Sequence, residues 1–141
     1  MRINLNDTPY LNWSWNVSNT LGPLDEKTRG GDDYPARIYI AITHQALSLQ
    51  PKALNYVWSS SAKKLTHWKN AYNKHSIVIA LESGNHNVDQ WLTHKRNIKK
   101  DVETYLGHKV DFIEGIAIMT DTDNSNTQTT AYYADIFFSA Q

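Results

Sequence analysis

The chain has 141 residues, no cysteine, and 14 Lys plus Arg against 14 Asp plus Glu. That length suits one domain with one real core, and the balanced charge removes the basic footprint that nucleic acid or an acidic membrane requires. The missing cysteines exclude a disulfide framework, a zinc–thiolate site and a cysteine nucleophile. No segment reaches the roughly 18 apolar residues of a membrane span, and nothing near the start reads as an export signal.

Period-two alternation dominates the pattern, which marks half-buried strands. In LNWSWNV, Leu11, Trp13, Trp15 and Val17 share one face and Asn12, Ser14 and Asn16 the other, so the two tryptophans are assigned to the core. In DDYPARIYIAIT, Ile38, Ile40 and Ile42 lie opposite Arg37, Tyr39 and Ala41; ALNYVWSSS sets Tyr56 and Trp58 on one face. HSIVIALES is a near-continuous β-branched run suited to a central strand buried on both sides.

The exception is a predicted helix near residues 88–106, where Trp91, Ile98, Val102, Tyr105 and Leu106 fall at helical spacing. Asn87 or Asp89 would cap its start and Gly107 its end. Strands over 112–120 and 129–138 close the chain. One late helix among many strands predicts a mainly β, antiparallel β-sandwich spanning residues 1–141 as a single domain.

The chemistry concentrates where the last two strands meet, in GIAIMTDTDNSNTQTTAYYADIFFS. Asp121, Asp123 and Asn124 offer hard oxygen ligands at the close spacing of a calcium loop. The EF-hand pattern fails, because its sixth position is Asn126 in place of glycine and its twelfth is Tyr132 in place of glutamate. A non-helical Ca²⁺ site at a sheet end stays open, with Asp121 and Asp123 as ligands and Asp32, Asp33 or Asp135 adding charge. The alternative is that these residues make Asx-turns and satisfy their own backbone.

Asp135 interrupts an apolar run and needs solvent or a partner. Arg37, whose planar fork grips carboxylates, is predicted to pair with Asp135 or with Asp33, Asp121 or Asp123. Five tryptophans and eight tyrosines suit stacking on sugar rings, with Tyr56, Trp58, Trp68 and Tyr72 as the candidate platform. The six histidines show no zinc spacing, and no serine-hydrolase elbow, P-loop or dinucleotide fingerprint is present. Paired carboxylates acting on a polysaccharide or envelope substrate remain the enzymatic alternative. A purely structural polar network is the third reading.

The phrases PYLNWSWNV, GDDYPARIYI, LNYVWSS, WLTHKRNIKKDVETYLG, IAIMTDTDN and AYYADIFF, in that order, resemble the bacterial domain-of-unknown-function 3047 family. The family pattern falls on Gly31, Asp32, Asp33, Tyr34, Ala36 and Arg37, and on Asn55, Tyr56, Val57 and Trp58. It continues on Trp91, Arg96 and Asn97, then on Thr120 through Asn124, and on Tyr133, Asp135 and Ile136. The family has no established activity. The resemblance implies a galactose-binding-like jelly roll and a periplasmic or secreted location, although this chain shows no signal peptide and a cytoplasmic location stays open. It also implies further N-terminal strands in relatives, so that an exposed sheet edge here would favour self-association. The expectation is a non-catalytic module binding a glycan or similar polyhydroxylated ligand through Asp32, Asp33, Arg37, Tyr56, Trp58, Asn124 and Asp135.

Overall fold

The computed structural model describes residues 2–42 and 51–141; Thr43, at the end of a predicted strand, and His44 lie outside them. The larger sheet runs, in spatial order, β1 (Ile3–Asn4), β8 (Phe112–Met119), β3 (Ala36–Ile42), β4 (Lys52–Ser59), β6 (Ser76–Ser83) and β5 (His67–Lys69). The smaller sheet is β7 (Leu92–Asn97), β2 (Tyr10–Val17) and β9 (Ala131–Ser139). The expected antiparallel pairing holds everywhere except between β4 and β6, which are parallel. After β4 the chain runs past the neighbouring position to form β5, then turns back as β6 between the two. The segment from Ser59 to Ser76 is long enough for the crossover a parallel pair demands.

The two sheets pack face to face through one core. Leu11, Trp13, Trp15 and Val17 of β2 meet Ile38 and Ile40 of β3, Tyr56 and Trp58 of β4, and Ile77, Ile79 and Leu81 of β6. Trp13 stacks on Tyr56 at 5.4 Å between ring centroids, and Trp15 lies 6.2 Å from Trp58. The alternation read in LNWSWNV and ARIYIAI is therefore the alternation of core against outer face. On the far side of the larger sheet Val78 and Ala80 of β6 join Tyr34, Val57 and Trp68 in a second apolar layer. Hence β6 is buried on both faces, as its β-branched run predicts. The segment over that layer is held by the buried Glu26, which accepts from Ser59 Oγ and, at 3.0 Å, from Ser60 N–H.

The helix is shorter than its periodicity suggests. α1 spans only Ile98–Leu106, and residues 92–97 pair with β2 as strand β7. A side of β2 left without a partner would strand its backbone donors, and Leu92, His94 and Arg96 alternate with Thr93 and Lys95 well enough to fill it. The N-cap is Asn97, whose side chain accepts from Lys100 N–H at 3.0 Å, rather than Asn87 or Asp89. Gly107 ends the helix in the left-handed region, φ 77°, as expected. Ile98 and Val102 face the core, whereas Trp91 precedes the strand and is 54% exposed.

His94 comes from β7 to lie 5.3 Å from the Trp13 ring and 5.2 Å from Trp15. Burial against these rings lowers its pKa from 6.5 to about 4. The unfolded chain thus binds this proton more tightly than the folded one, so stability is whole above pH 6.5 and is lost as the pH falls towards 4. Urea titrations of wild type and His94→Gln at pH 7.5 and pH 4.5 test this. The wild type is expected to lose about 2 kcal/mol more than the variant between those pH values.

Candidate functional site

The polar site forms where β3 begins and β8 ends. Past Met119 the β3–β8 ladder continues outside the strands: Asp121 N–H donates to Tyr34 O at 3.2 Å, Tyr34 N–H donates to Asp121 Oδ1 at 3.0 Å, and Thr120 Oγ1 donates to Pro35 O at 2.9 Å. The following turn then folds over Asp33. Asn124 N–H and Ser125 N–H donate to Asp33 Oδ2 at 3.0 and 2.6 Å, and Asn124 Nδ2 to Oδ1 at 3.3 Å. Asn126, at φ 54°, closes this turn by donating its N–H to Thr122 O. Asparagine tolerates that left-handed conformation better than most residues.

The approach of GGDDY depends on Gly31. A Cβ there would sit 2.1 Å from the Asp25 carbonyl oxygen, so only glycine lets the chain pass and deliver both aspartates. Asp32 turns the other way and accepts from Asn70 Nδ2 at 3.0 Å. Asn70 Oδ1 in turn accepts from Tyr72 N–H and Asn73 N–H, which fixes the turn before β6.

Arg37 projects from the outer face of β3. It is 6% exposed, covers the Tyr34 ring at 4.6 Å and brings Nη2 to 3.5 Å from Asp121 Oδ2. Of the four carboxylates its charge could meet, Asp121 is the one it pairs with. Its Nε and Nη2 find no hydrogen-bond acceptor among the described residues. The Arg37 backbone N–H donates instead to Tyr133 Oη from β9 at 3.0 Å, and that hydroxyl donates to Met119 O at 2.7 Å. One hydroxyl thus bridges the two sheets beside the site.

Asp33, Asp121 and Asp123 bring carboxylate oxygens within 4.8 Å of one another, with Asp33 buried, Asp121 half-buried and Asp123 exposed. With Asp32 they outnumber the single guanidinium. Desolvation raises the pKa of Asp32 and of Asp121 above the ordinary carboxylate value, against the opposing pull of Arg37 and their hydrogen bonds. Such a group binds its proton more readily in the folded state, and a bound cation would satisfy the same charge. The donor set is all oxygen, partly open to solvent, and suits a hard cation such as Ca²⁺.

The other predicted site residues lie elsewhere. Tyr56 is fully buried, and its hydroxyl donates to Asp101 Oδ2 at 2.5 Å; Asp101 is held by both arms of Arg96 at 2.8 and 2.9 Å. Trp58 is buried in the core and donates to Gly84 O at 3.0 Å, and Trp68 is buried beneath Tyr34. None of these three rings offers a face to a ligand. Tyr72 does: it is 54% exposed and lines a shallow groove of about 510 Å³ with Pro51, Asn70, Asn73 and Lys74. Asp135 sits outside the cluster at a bulge in β9, where Asn12 pairs with Phe137 and Ser14 with Ala134. It is exposed there, and its φ of 53° suits an aspartate in mid-strand, since Asp and Asn tolerate that conformation better than most residues. Asn70 and Ser125 complete the site without having been singled out in the sequence, and Tyr133, named there only as part of the family pattern, adds its hydroxyl. Ser125 stands in the TDTDNS run, but Asn70 and the Tyr133 hydroxyl carry no local signal.

Fold and site together define a strand-rich, two-sheet protein with a carboxylate cluster balanced on one buried arginine. The chain belongs to the family described as "Protein of unknown function (DUF3047)", whose model matches residues 1–137. No curated protein and no solved structure matches it.

The three donors on Asp33 separate it energetically from its neighbours. Asp33→Ala leaves two backbone N–H groups and an amide without an acceptor and is expected to cost about 3 kcal/mol, whereas Asp123→Ala, at the exposed rim, stays within about 0.5 kcal/mol in metal-free buffer. Urea denaturation of the two variants measures the difference.

Proposed function

We propose that the chain is a non-catalytic binding module whose polar end takes a glycan or similar polyhydroxylated ligand, with Ca²⁺ held by Asp33, Asp121 and Asp123. The observation that carries this reading is the convergence of those three carboxylates within 4.8 Å, with two of them open to solvent. Asn70 lines the groove at Tyr72 and donates to Asp32, which ties the groove to the cluster, and the Arg29 guanidinium lies 5.3 Å from the Tyr72 ring, so a sugar would stack on the ring's other face with Asn73 and Lys74 beside it. The enzymatic reading is weaker because the acids are already engaged. Asp33 accepts three hydrogen bonds, and Asp121 accepts from Tyr34 while facing Arg37, so of the three clustered acids two are held by the fold and Asp123 stands without a second free carboxylate beside it. The sandwich type that we propose is the galactose-binding-like jelly roll, supported by the neighbouring positions of β2 and β9, with the parallel β4–β6 pair as a departure from that all-antiparallel pattern; the location we propose is the periplasm or the cell exterior.

Thermal unfolding with Ca²⁺, with chelator and with a glycan panel tests this reading. Ca²⁺ at a hundredfold excess over its dissociation constant is expected to add about 2.7 kcal/mol of stability, and the gain is lost in Asp123→Asn. Tyr72→Ala removes the glycan response and leaves the Ca²⁺ response intact. An unchanged midpoint under every addition would leave the cluster a structural latch alone.

Self-association belongs to the same proposal. β1 pairs only with Phe112 and Ile113 of β8, so among the described residues Glu114–Met119 present an unpaired edge on which Ile118 is 50% and Met119 40% exposed. Such an edge pairs readily with a second copy of itself. Sedimentation velocity is expected to show a concentration-dependent dimer that Ile118→Lys converts to monomer; a strictly monomeric wild type would count against it.

A further inference from the structure

The outer face of the smaller sheet carries a second pattern, independent of the carboxylate site. In the middle strand, β2, the residues facing away from the core are Tyr10, Asn12, Ser14 and Asn16. The outward positions of β9 bring Tyr132 beside Asn16 and Phe137 beside Asn12. On the other side Lys95 lies beside Asn12 and Thr93 beside Ser14, and Trp91 directly precedes Leu92, the last residue of that ladder, which pairs with Trp15. Trp91 is 54% exposed, Tyr132 57% and Phe137 53%. Trp91 is also the one exposed residue among the five tryptophans.

The spacing follows from sheet geometry. Extending the β7 column by one residue sets the backbone of Trp91 about 10 Å from that of Tyr132 across the middle strand, while Tyr132 and Phe137, at Asn16 and Asn12, are separated by about 14 Å along it. Three large rings therefore border a flat strip whose centre is amide and hydroxyl. Ser14 Oγ and Thr93 Oγ1 share a hydrogen bond at 2.8 Å, and Asn12 Nδ2 is engaged by Ser139 Oγ at 2.9 Å, which fixes the strip in place.

This arrangement says what it suits. Lys95 is the one charged residue among the outward-facing positions named above, its ammonium placed over the Tyr10 ring at 4.9 Å, and the exposed Asp135 at the β9 bulge between Ala134 and Phe137 adds a single carboxylate. A single engaged cation matches neither the polyphosphate of nucleic acid nor an anionic lipid surface, both of which need clustered basic groups. The rings are divided by a polar strip, whereas the core of a protein interface gathers its aromatic and apolar side chains into one patch with a polar rim. A polysaccharide complements both parts, because its sugar rings have apolar faces that stack on aromatics and equatorial hydroxyls that meet amides. We infer that the outer face of the β7–β2–β9 sheet is a planar binding surface for an extended, uncharged polysaccharide, with Trp91, Tyr132 and Phe137 as its stacking platform. The surface does not rest on the carboxylate cluster or on Ca²⁺.

Affinity electrophoresis of the full chain tests it, in native gels containing hydroxyethylcellulose, galactomannan or xyloglucan, with alginate as the acidic comparison. The expected result is retarded migration in at least one neutral gel, unchanged by chelator, unchanged in Tyr72→Ala and Asp123→Asn, and weakened about tenfold in Trp91→Ala and in Tyr132→Ala. Both substituted rings are exposed, and circular dichroism checks that the variants fold. Retardation that persists in Trp91→Ala and Tyr132→Ala would overturn the inference, as would retardation abolished by chelator or seen with alginate alone. Free migration in all the neutral gels overturns it equally. A Trp91→Ala change that alters the sedimentation coefficient without altering any gel would assign the face to protein contact instead.

Discussion

A carboxylate with no access to water must be met by donors, and Asp33 imposes that condition on two separate parts of the chain. Its three donors all come from Asn124 and Ser125, ninety residues away in sequence. Once Asp33 is buried the turn after β8 has one place to go, and Asp121 is then held against Tyr34 and within reach of Arg37. Gly31 is the entry condition for this arrangement, because any side chain there would collide with the Asp25 backbone and push the aspartates away. Arg37 contributes charge more than geometry: at 3.5 Å it is an ion pair without the bidentate contact of which arginine is capable.

A second buried polar system does different work at the other end of the fold. Tyr56, Asp101 and Arg96 join β4, α1 and β7 in one hydrogen-bonded chain, in which every charge has a partner. Burial and the adjoining Asp101 carboxylate raise the Tyr56 pKa, so its proton stays on the hydroxyl and is donated to Asp101. The network fixes the short helix to the larger sheet at a defined angle, where apolar packing by Ile98 and Val102 alone would allow sliding. Specificity of docking is what such a network supplies, since its net contribution to stability is small.

Much of this was readable from local pattern. Period-two alternation identified the core faces of β2, β3 and β4, and the unbroken β-branched run of β6 announced a strand covered on both sides. The TDTDN run and Arg37 were recognisable because charge at a strand end or inside a strand needs a partner. What escaped was decided by distant contacts. Residues 92–97 read as the first turns of a helix, but β2 needed a neighbour, and that need outweighed their spacing. Tyr56 and Trp58 have the ring chemistry of a sugar platform, yet a ring on a strand declares nothing about which sheet will cover it. Asp135 called for solvent or a partner, and it has solvent: it is exposed at a left-handed bulge whose conformation aspartate tolerates. The parallel pairing of β4 with β6 had no local signature at all, because it is a property of the path between them.

The order of strands in the smaller sheet has a consequence for how the chain is made. β2 is complete by Val17, but both of its neighbours come late: β7 ends at Asn97 and β9 at Ser139. During synthesis, Trp13 and Trp15 emerge well before β7 and β9, so their strand waits for both of those segments before it is paired on both sides. The larger sheet can gather β3, β4, β5 and β6 in the meantime, so the nascent protein passes through a stage in which half the sandwich exists and its two tryptophans are still in search of cover. That interval is when a holding chaperone, or rapid completion of the chain, matters most to the yield of folded protein.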